Sequence, residues 1–280
     1  MEESIVKIDV GYTTRIYRFP EQLPADWKVL IVSGMPPNDK RAGLLLPIED
    51  GHWMLTLIGA LRDYPPDDEE GFLDYARSLA MPDIYEAIKD VEPVTPIVTY
   101  KYSANRWRHY ERMAHLPEGF IIVGDAACAF NPIYGQGMSV AALEAKTLDT
   151  CLRDQQDSLT GLTQRFQKAL AKIVKTPWIL TTSEDFRYPE TEGQRPLGMK
   201  LFNWYTRHVL ELTASNPLVI ANFFQVRHLL KPLSILFDPR IVWAVLSKGL
   251  SPHRQKPIAL LTIDKVPSPS PIRTMDTVAR

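Results

Sequence analysis

The opening part of the chain alternates apolar and polar positions and is rich in β-branched and aromatic side chains, a pattern typical of strands with one covered face. Asp50-Gly51 lies between two of the apolar segments, and this pair is typical of a hairpin turn. The chain is therefore predicted to open with an antiparallel sheet. The segments that carry the pattern are 5–19, 27–34, 43–48 and 52–60.

After Pro65-Pro66 the apolar residues recur at helical spacing. Phe72, Tyr75 and Leu79 follow an acidic first turn, which favours a helix. A second short helix is predicted to begin at Pro82. Two later apolar runs predict strands, the second of which is typical of a buried, parallel strand. These strands are expected at 95–104 and 119–125, and further helices at 138–153, 159–174 and, in several pieces, 198–250.

Composition narrows the class of protein. The chain has 280 residues, 45% of them hydrophobic, which suffices for one large or two ordinary domains. Its 32 basic and 33 acidic residues leave a net charge of −1, so the charge gives no reason to expect nucleic acid as a partner. Cys128 and Cys151 form no paired-cysteine motif, which favours a reducing compartment. Neither a signal-peptide pattern nor an apolar stretch of ~20 residues is evident, so we expect a cytoplasmic protein.

The segment 119–145 carries the candidate chemistry. It consists of the predicted strand ending in Asp125, an irregular loop, the pair Gly135-x-Gly137 and a predicted helix. A carboxylate at a strand end can accept hydrogen bonds from ligand hydroxyls, and glycines let the backbone approach a flat ligand. The helix start offers free N–H groups to a group that becomes negative. Each feature alone is more often an ordinary cap or turn, but together they favour a ligand site.

This segment resembles the second FAD-binding motif of the class A flavoprotein monooxygenases, the para-hydroxybenzoate hydroxylase-like group. The residues Gly124-Asp125-Ala-Ala, followed by Asn131-Pro132 and Gly135-Gln136-Gly137, are most similar to the branch that includes squalene-epoxidase-like and polyether epoxidase enzymes. The resemblance covers most of residues 9–245. It is carried further by VGYTTRIYRFP, GLLLPIEDGHWMLTLIG, DYPPDDEEGFLDYARSL, RHYERM and PWILTTSEDFRYP.

The resemblance implies roles for particular residues. In that family the aspartate contacts the ribityl part of FAD, so this role falls to Asp125, which follows Gly124. Residues 132–137 would line the isoalloxazine, and the helix beginning near Met138 would face its N1–C2=O edge. A helix N-terminus stabilises the negative charge that reduced flavin carries there. The cofactor-binding candidates in the lining segment are Pro132, Gly135, Gln136 and Gly137.

The resemblance also implies a mixed α+β / α/β fold class, with an antiparallel-rich substrate-domain sheet, a partial Rossmann-like FAD domain and C-terminal helices. In the squalene-epoxidase-like branch a C-terminal helical part lies on the membrane, so peripheral membrane contact is an alternative for this chain. The Pro/Ser-rich tail is expected to be disordered. The expected divisions are 1–105 for the sheet with two helices, 106–190 for the FAD-domain remnant, 191–255 for the helical region and 256–280 for the tail.

One part of the family pattern is missing from this sequence. A complete member begins with a strand, G-x-G-x-x-G, a helix and an acidic residue about 20 positions on, which hold the pyrophosphate and adenosine ribose. Here the only Gly-x-Gly is Gly135-Gln136-Gly137. Position 140, where the third glycine of G-x-G-x-x-G would have to be, is Val. We therefore expect a truncated product, or one half of a split enzyme with an N-terminal-half polypeptide as partner. In either case the strand at 119–125 would expose an edge.

The expected activity is FAD-dependent monooxygenation or epoxidation of an apolar organic substrate. In the family NAD(P)H reduces FAD, O2 adds to give a flavin hydroperoxide, and an apolar cavity excludes water. No catalytic residue is evident. Tyr12, Tyr17 and Trp53 are candidates for walls of the substrate cavity, although such residues are more often plain core. The alternative function is a non-catalytic remnant or binding subunit that holds a hydrophobic ligand without tightly bound FAD.

Two further features of the sequence bear on its function. A basic and aromatic cluster either approaches the flavin or forms salt bridges at a strand end, and the second interpretation is favoured. The six histidines show no metal-ligand spacing, so no metal site is expected, and the absence of G-x-S-x-G argues against a hydrolase nucleophile. The members of the cluster are Arg106, Arg108, His109, Tyr110 and Arg112.

Overall fold

An antiparallel sheet organises the first part of the molecule. The computed structural model describes residues 1–18, 28–154 and 158–249. The strands in these ranges are β1 (Glu3–Arg18), β2 (Leu30–Val32), β3 (Arg41–Pro47), β4 (His52–Gly59), β5 (Val98–Arg108), β6 (Cys128–Ala129) and β7 (Glu192–Gly193). They pair in the order β2-β3-β4-β1-β5-β6, and β7 pairs with β1. Every pairing is antiparallel, which confirms the predicted sheet.

The predicted hairpin joins β3 and β4. Pro47 is opposite Trp53 in the register, and the connection places Asp50 at a φ of 58° and Gly51 at 69°. Both values lie in the left-handed region, which aspartate tolerates and glycine enters without strain. The Asp-Gly pair therefore identified the turn because of the backbone conformation that the turn requires.

Two helices cover one face of the sheet. They are α1 (Glu69–Arg77), whose N-cap Asp68 accepts the N–H of Gly71 at 2.8 Å, and α2 (Asp83–Ile88). The aromatic ring of Phe72 is fully buried in the core between α1 and the strands. This core is built by the residues that alternation and helical spacing placed inward, among them Tyr17, Leu45, Trp53, Leu55, Leu57, Tyr75 and Ile84.

The predicted strand at 119–125 is wrong. Phe120 and Val123 are exposed, Ile122 alone of the apolar run is fully buried, and the run ends in a tight turn at Gly124–Ala126. An apolar run becomes a strand only when a neighbour supplies hydrogen bonds. Nothing in the described part of the chain lies alongside it as a strand. The chain pairs with the sheet only afterwards, through β6.

Two long helices follow this segment. They are α3 (Gly137–Arg153), as predicted within one residue, and α4 (Leu162–Asp185). Val140 packs against Phe166 and Leu170 of α4 in a second core. The sequence predicted that α4 would end near Val174, before Pro177, but the helix continues through this proline. The polar stretch beyond it is buried, which the sequence pattern did not indicate; it includes Thr181, Thr182, Ser183 and Asp185.

The predicted C-terminal helices are present as α5 (Met199–Thr213), α6 (Pro217–Arg227) and α7 (Pro239–Gly249). They form their own core around Tyr205, Val209 and Ile241. Leu201 and Trp243 are exposed on this unit. No helix within the described ranges has both the length and the apolar character needed to span a bilayer. The tail predicted at 256–280 lies outside the described residues.

The core between α1 and the sheet makes Phe72 a sensitive position. Phe72→Ala should lower the free energy of unfolding by about 3–5 kcal/mol, because it removes a buried ring and leaves a cavity. Urea denaturation followed by circular dichroism measures this change. Glu70→Ala, at an exposed position of the same helix, should change stability by less than about 1 kcal/mol. Equal effects of the two substitutions would contradict the described packing.

Candidate functional site

The tight turn Gly124–Ala126 presents Asp125 to solvent. The backbone N–H of Gly124 donates to Glu144 Oε2 of α3 at 2.7 Å. Arg108 Nη1, at the end of β5, donates to the carbonyl oxygens of Asp125 at 3.2 Å and Ala126 at 3.0 Å. Hydrogen bonds from the side chains of Arg108 and Glu144 to the main chain of the turn thus hold it between β5 and α3, while the residue Asp125 remains exposed.

Residues 131–137, called the bend below, connect β6 to α3. Asn131 Oδ1 accepts the N–H of Ile133 at 3.3 Å and caps the short 3-10 turn Pro132–Tyr134. Gly135 ends this turn at a φ of 64°, in the left-handed region. A Cβ added at Gly135 or Gly137 would meet no atom within 4 Å. The backbone of the bend is therefore open to a flat group approaching from outside, and the chain's own side chains do not fill that space.

The first turn of α3 has no side-chain cap. Gln136 occupies the N-cap position, but its amide Nε2 donates to the carbonyl oxygens of Tyr134 at 3.3 Å and Arg227 at 3.2 Å. The first turn contains no acidic residue, and Met138 is 88% exposed. The first N–H groups of a helix lack intrahelical acceptors and carry the positive end of its dipole. This helix start can therefore bind an electron-rich oxygen.

Glu144 connects the turn with Asp125 to the helix that begins at the bend. It lies seven positions after Gly137 in α3, which corresponds to about 10 Å along the helix axis. Its burial raises the pKa of the Glu144 carboxyl, the N–H of Gly124 lowers it, and the charge of Asp125 raises it further. The turn with Asp125 is thus bound to α3 about two helical turns beyond the open start of that helix.

A buried carboxylate lies beneath the bend. Asp185, at the end of α4, is 1% exposed. Its Oδ1 accepts the hydroxyl of Tyr134 at 2.8 Å and Nδ2 of Asn131 at 3.0 Å. Its Oδ2 accepts Nδ2 of Asn105, from β5, at 2.6 Å. Three donors from two separate parts of the chain therefore converge on one side chain.

Further hydrogen bonds tie the bend to the sheet. The N–H of Asn131 donates to Asn105 Oδ1 at 2.6 Å. The Tyr12 hydroxyl of β1 donates to Asn131 Oδ1 at 2.8 Å and accepts the N–H of Ile133 at 3.1 Å. We call these six residues the Asp185 network: Tyr12, Asn105, Asn131, Ile133, Tyr134 and Asp185. The network holds the bend on the sheet face opposite α1 and α2. Tyr12 and the core residue Tyr17 are five positions apart in β1, so their side chains point to opposite faces of the sheet.

Burial decides the protonation of this network. Burial raises the pKa of Asp185 from 3.8 to about 6, although its three hydrogen bonds lower it. Burial likewise raises the pKa of Tyr12 and of Tyr134, so both hydroxyls stay protonated and can donate. Near neutral pH Asp185 is therefore ionised, and an ionised carboxylate is the acceptor that the surrounding donors require.

Parts of the chain are similar in sequence to curated proteins. No family model matches the chain. The chain is 29% identical to Protein Rv3254 of Mycobacterium tuberculosis over 188 residues, which are 66% of this chain and 39% of that protein. It is 35% identical to kynurenine 3-monooxygenase of Salinispora tropica over 82 residues, which are 29% of this chain and 16% of that enzyme. The chain thus spans well under half the length of these curated relatives.

Two solved structures share most of the described architecture. The flavoprotein/dehydrogenase from Cytophaga hutchinsonii has a TM-score of 0.57 at 14% identity, covering 86% of this chain and 55% of that one. The flavin-dependent brominase Bmp2 has a TM-score of 0.54 at 11% identity, covering 81% and 52%. The chain shares the fold of these two flavoproteins. This confirms the mixed α+β class, and it agrees with the predicted resemblance at the level of a flavoprotein fold, over about half the length of each solved structure.

The predicted cofactor-binding residues lie in the Asp125 turn, in the bend and in the first turn of α3. Asp125 is exposed on its turn, Gly135 and Gly137 leave open space, and Met138 projects outward. Gln136 differs from the others, because it is 5% exposed and turns its amide toward α6. The remaining two candidates, Gly124 and Pro132, lie in the turn and at the start of the 3-10 turn.

The three residues predicted to line the substrate cavity lie in two different parts of the structure. Tyr12 contacts the bend and also lines an open cleft of about 250 Å³ with Tyr64 and Tyr100. Tyr17 and Trp53 lie instead in the core under α1 and α2, 2% and 7% exposed. Alternation along β1 explains the difference, since Tyr12 and Tyr17 are five positions apart and point to opposite faces.

The basic and aromatic cluster forms salt bridges at the end of β5, as the favoured interpretation predicted. Arg106 Nη1 lies 2.7 Å from Glu3, and Arg108 Nε lies 3.3 Å from the same carboxylate. His109 Nδ1 is 2.8 Å from Glu111. Arg108 has a second role that the sequence did not indicate, because it also binds the carbonyl groups of the turn with Asp125.

Sequence reasoning missed the residues that hold the site. Asn105, Glu144 and Asp185 are buried polar side chains. Asn105 directly precedes the basic and aromatic cluster, Glu144 lies in the helix predicted at 138–153, and Asp185 lies in PWILTTSEDFRYP, beyond the helix predicted at 159–174. No short-range pattern marks them, because Asp185 is 80 positions from Asn105 and 54 from Asn131. The one available signal was the run of polar residues 181–185 that follows the apolar residues 178–180, because a polar group needs a partner if it is buried.

The raised pKa of Asp185 predicts a pH-dependent contribution to stability. The folded protein binds a proton on Asp185 up to about pH 6, whereas the unfolded chain releases it near 3.8. The stabilising contribution is therefore full below the unfolded pKa and is lost as pH rises through the folded pKa. The groups facing Asp185 are Tyr12, Tyr102, Tyr134 and Tyr188, with pKa values raised by burial, and Glu184, which pairs with Arg187 at 2.8 Å.

Urea unfolding of the wild type and of Asp185→Asn between pH 4 and pH 7 tests this. The free energy of unfolding of the wild type minus that of the variant should fall by roughly 2 kcal/mol across this range, because two pKa units correspond to that order of energy. Asp149→Asn removes an exposed carboxylate of α3 and should show no such trend. A difference that stays level, or rises with pH, would contradict the raised pKa.

Proposed function

We propose that this chain forms the substrate-domain sheet and the flavin-ring side of an FAD-dependent monooxygenase. The observation that carries the proposal is the open bend at the uncapped start of α3, together with the exposed Asp125 turn, which is bound to Glu144 farther along the same helix. Asp125 would accept hydrogen bonds from the ribityl hydroxyls. Gly135 and Gly137 would allow the ring to approach the backbone, and the first N–H groups of α3 would face its N1–C2=O edge.

The bound flavin would supply the redox chemistry of oxygen transfer, with NAD(P)H as reductant. The residues of this chain orient it and exclude water. Tyr12 and Tyr100 line the cleft next to the bend, with ring centroids 6.2 Å apart. We propose that an apolar organic substrate lies against these rings, and that its oxidation is a hydroxylation or an epoxidation. No side chain of the cleft is required as a general base for the latter.

The phosphates of FAD would need partners other than these residues. The sequence contains no G-x-G-x-x-G, and the chain spans about half of the solved flavoproteins that share its fold. We propose that the dinucleotide-binding part is supplied by further residues, in the same polypeptide or in a separate N-terminal-half partner. Phe120 and Val123, 59% and 45% exposed just before the Asp125 turn, are apolar side chains that such a part would cover.

A second candidate function is supported by the cleft itself. A binding subunit without flavin would still use Tyr12, Tyr64 and Tyr100 to hold a hydrophobic ligand. The absorption spectrum of the purified chain mixed with FAD separates the two functions. Bound flavin with altered visible bands supports the monooxygenase, and protein that stays colourless with FAD supports the binding subunit.

Gly137 provides a sharp test of flavin binding. Gly137→Ala adds a methyl group where the protein has open space, and alanine favours helix by up to about 1 kcal/mol, so the melting temperature should not fall. The dissociation constant for FAD should nevertheless rise about tenfold or more, because the methyl group obstructs the ring. Quenching of flavin fluorescence measures it. An unchanged affinity would show that the ring does not lie against this residue.

Asp125 tests the other end of the site. Asp125→Asn should weaken FAD binding by about five- to tenfold, since it replaces charge-assisted hydrogen bonds with neutral ones. Asp149→Asn, an exposed carboxylate on α3 paired with Arg153, serves as the matched control and should leave affinity unchanged. The same loss in both variants would mean that net charge, and not a ribityl contact, controls binding.

The absence of a G-x-G-x-x-G motif from the sequence predicts how the affinities of FAD and riboflavin for this chain compare. FAD and riboflavin should bind to this chain with dissociation constants within about fivefold, or ~1 kcal/mol, of each other, because the chain contacts the ring and ribityl parts that they share. Titration of both ligands under one salt condition measures this. If FAD bound a hundredfold more tightly, these residues would have to include a phosphate site.

A further inference from the structure

We propose that Asp185 positions the bend for the flavin ring. This inference rests on the proposed function and deepens it, because it names the residue that sets the geometry of the same site. Asp185 is 1% exposed and lies beneath the bend. It therefore acts through the residues that it binds, as a positioning residue.

Backbone donors fix the orientation of both amides in the Asp185 network. The N–H of Asn131 donates to Asn105 Oδ1, and the N–H of Ile133 donates to Asn131 Oδ1. Since an amide side chain has an acceptor on one side and donors on the other, both NH2 groups are left pointing at Asp185. The Tyr134 hydroxyl is the third donor. Only a side chain with two acceptor oxygens and no donor satisfies all three.

These bonds hold both ends of the 3-10 turn. Asn131 is its N-cap and Tyr134 is its last residue, and the chain passes from Tyr134 through Gly135 directly into α3. The outer side of the turn is exposed at Pro132 and Ile133, so apolar packing does not fix it from that side. Directional hydrogen bonds to Asp185 therefore determine where the open backbone at Gly135 lies.

The Tyr12 hydroxyl extends this control to the sheet. It binds both Asn131 and the N–H of Ile133, and its ring lines the cleft. The cleft wall and the bend therefore share one hydrogen-bonded frame, with Asp185 as its charged acceptor. Substituting Asp185 should loosen the bend locally while leaving the core under α1 and α2 intact.

Amide hydrogen exchange of the full chain tests this prediction without any ligand. In Asp185→Asn, an NH2 group takes the place of one carboxylate oxygen and leaves a donor unpaired. Exchange of the amides of Asn131 and Ile133 should become at least tenfold faster, while the β4 amides of Leu55 and Leu57 stay unchanged. Glu184→Gln removes the same charge one position earlier and should alter neither group. Unchanged exchange at the bend in Asp185→Asn would overturn the proposal.

A milder variant decides the matter if Asp185→Asn also loses protection in β4. Tyr134→Phe removes a single donor and keeps the ring. It should speed exchange at Ile133 at least threefold with β4 unaffected, and an unaltered rate at Ile133 would overturn the proposal.

The readout that separates positioning from a structural role is the spectrum of bound FAD. Asp185→Asn should weaken FAD binding at least fivefold and change the visible circular dichroism of the bound flavin, whereas Glu184→Gln should change neither. A loosened bend with unaltered FAD affinity and spectrum would overturn the positioning role. Wild-type protein that binds no FAD would overturn the proposed function and the ligand assigned here, while the exchange experiment would still report whether Asp185 holds the bend.

Discussion

The site depends on one constraint: a carboxylate buried at the end of α4 must be surrounded by donors. Removing a charge from water is costly unless hydrogen bonds compensate for the lost hydration. For Asp185 that compensation comes from Asn105, Asn131 and Tyr134, on a strand and on the bend. These elements can satisfy the carboxylate only in one mutual arrangement. The electrostatic requirement of one residue thereby contributes to fixing the position of a loop whose Pro132, Ile133 and Gly135 are exposed.

The two faces of the sheet are stabilised in different ways. Under α1 and α2, apolar side chains such as Phe72 and Leu55 pack without directional contacts. Cores of this kind tolerate changes that conserve volume. On the other face, Tyr12 packs against a smaller apolar cluster that includes Val10 and Ile58, and it also meets the bend through hydrogen bonds with defined donors and acceptors. Such a network tolerates little change in geometry. The face with the more exacting chemistry is the one that carries the candidate site.

The sequence predicted what local patterns determine. Helical spacing located α1 and α3, and Asp50-Gly51 located the hairpin, because each depends on neighbouring residues only. The segment 119–125 was predicted wrongly, since a strand needs a partner that no local pattern supplies. Asp185 was not identified as a site residue for a related reason: its partners lie 51 to 80 positions away in the sequence. The glycine and aspartate motif predicted the exposed residues of the candidate site, whereas the buried Asp185 network could be identified only from the structure.

The first N–H groups of α3 lack a side-chain cap because the polar side chains of the bend form hydrogen bonds elsewhere. Gln136 stands where a capping side chain would normally satisfy the first turn of α3, yet its amide donates to Tyr134 and Arg227. Asn131 caps the 3-10 turn and binds Asp185 instead of reaching α3. The side chains best placed to cap the helix are therefore engaged in holding the backbone. A helix start kept open in this way has free N–H groups beside exposed glycines. That combination favours a flat ligand with an electron-rich edge over an ordinary solvated loop.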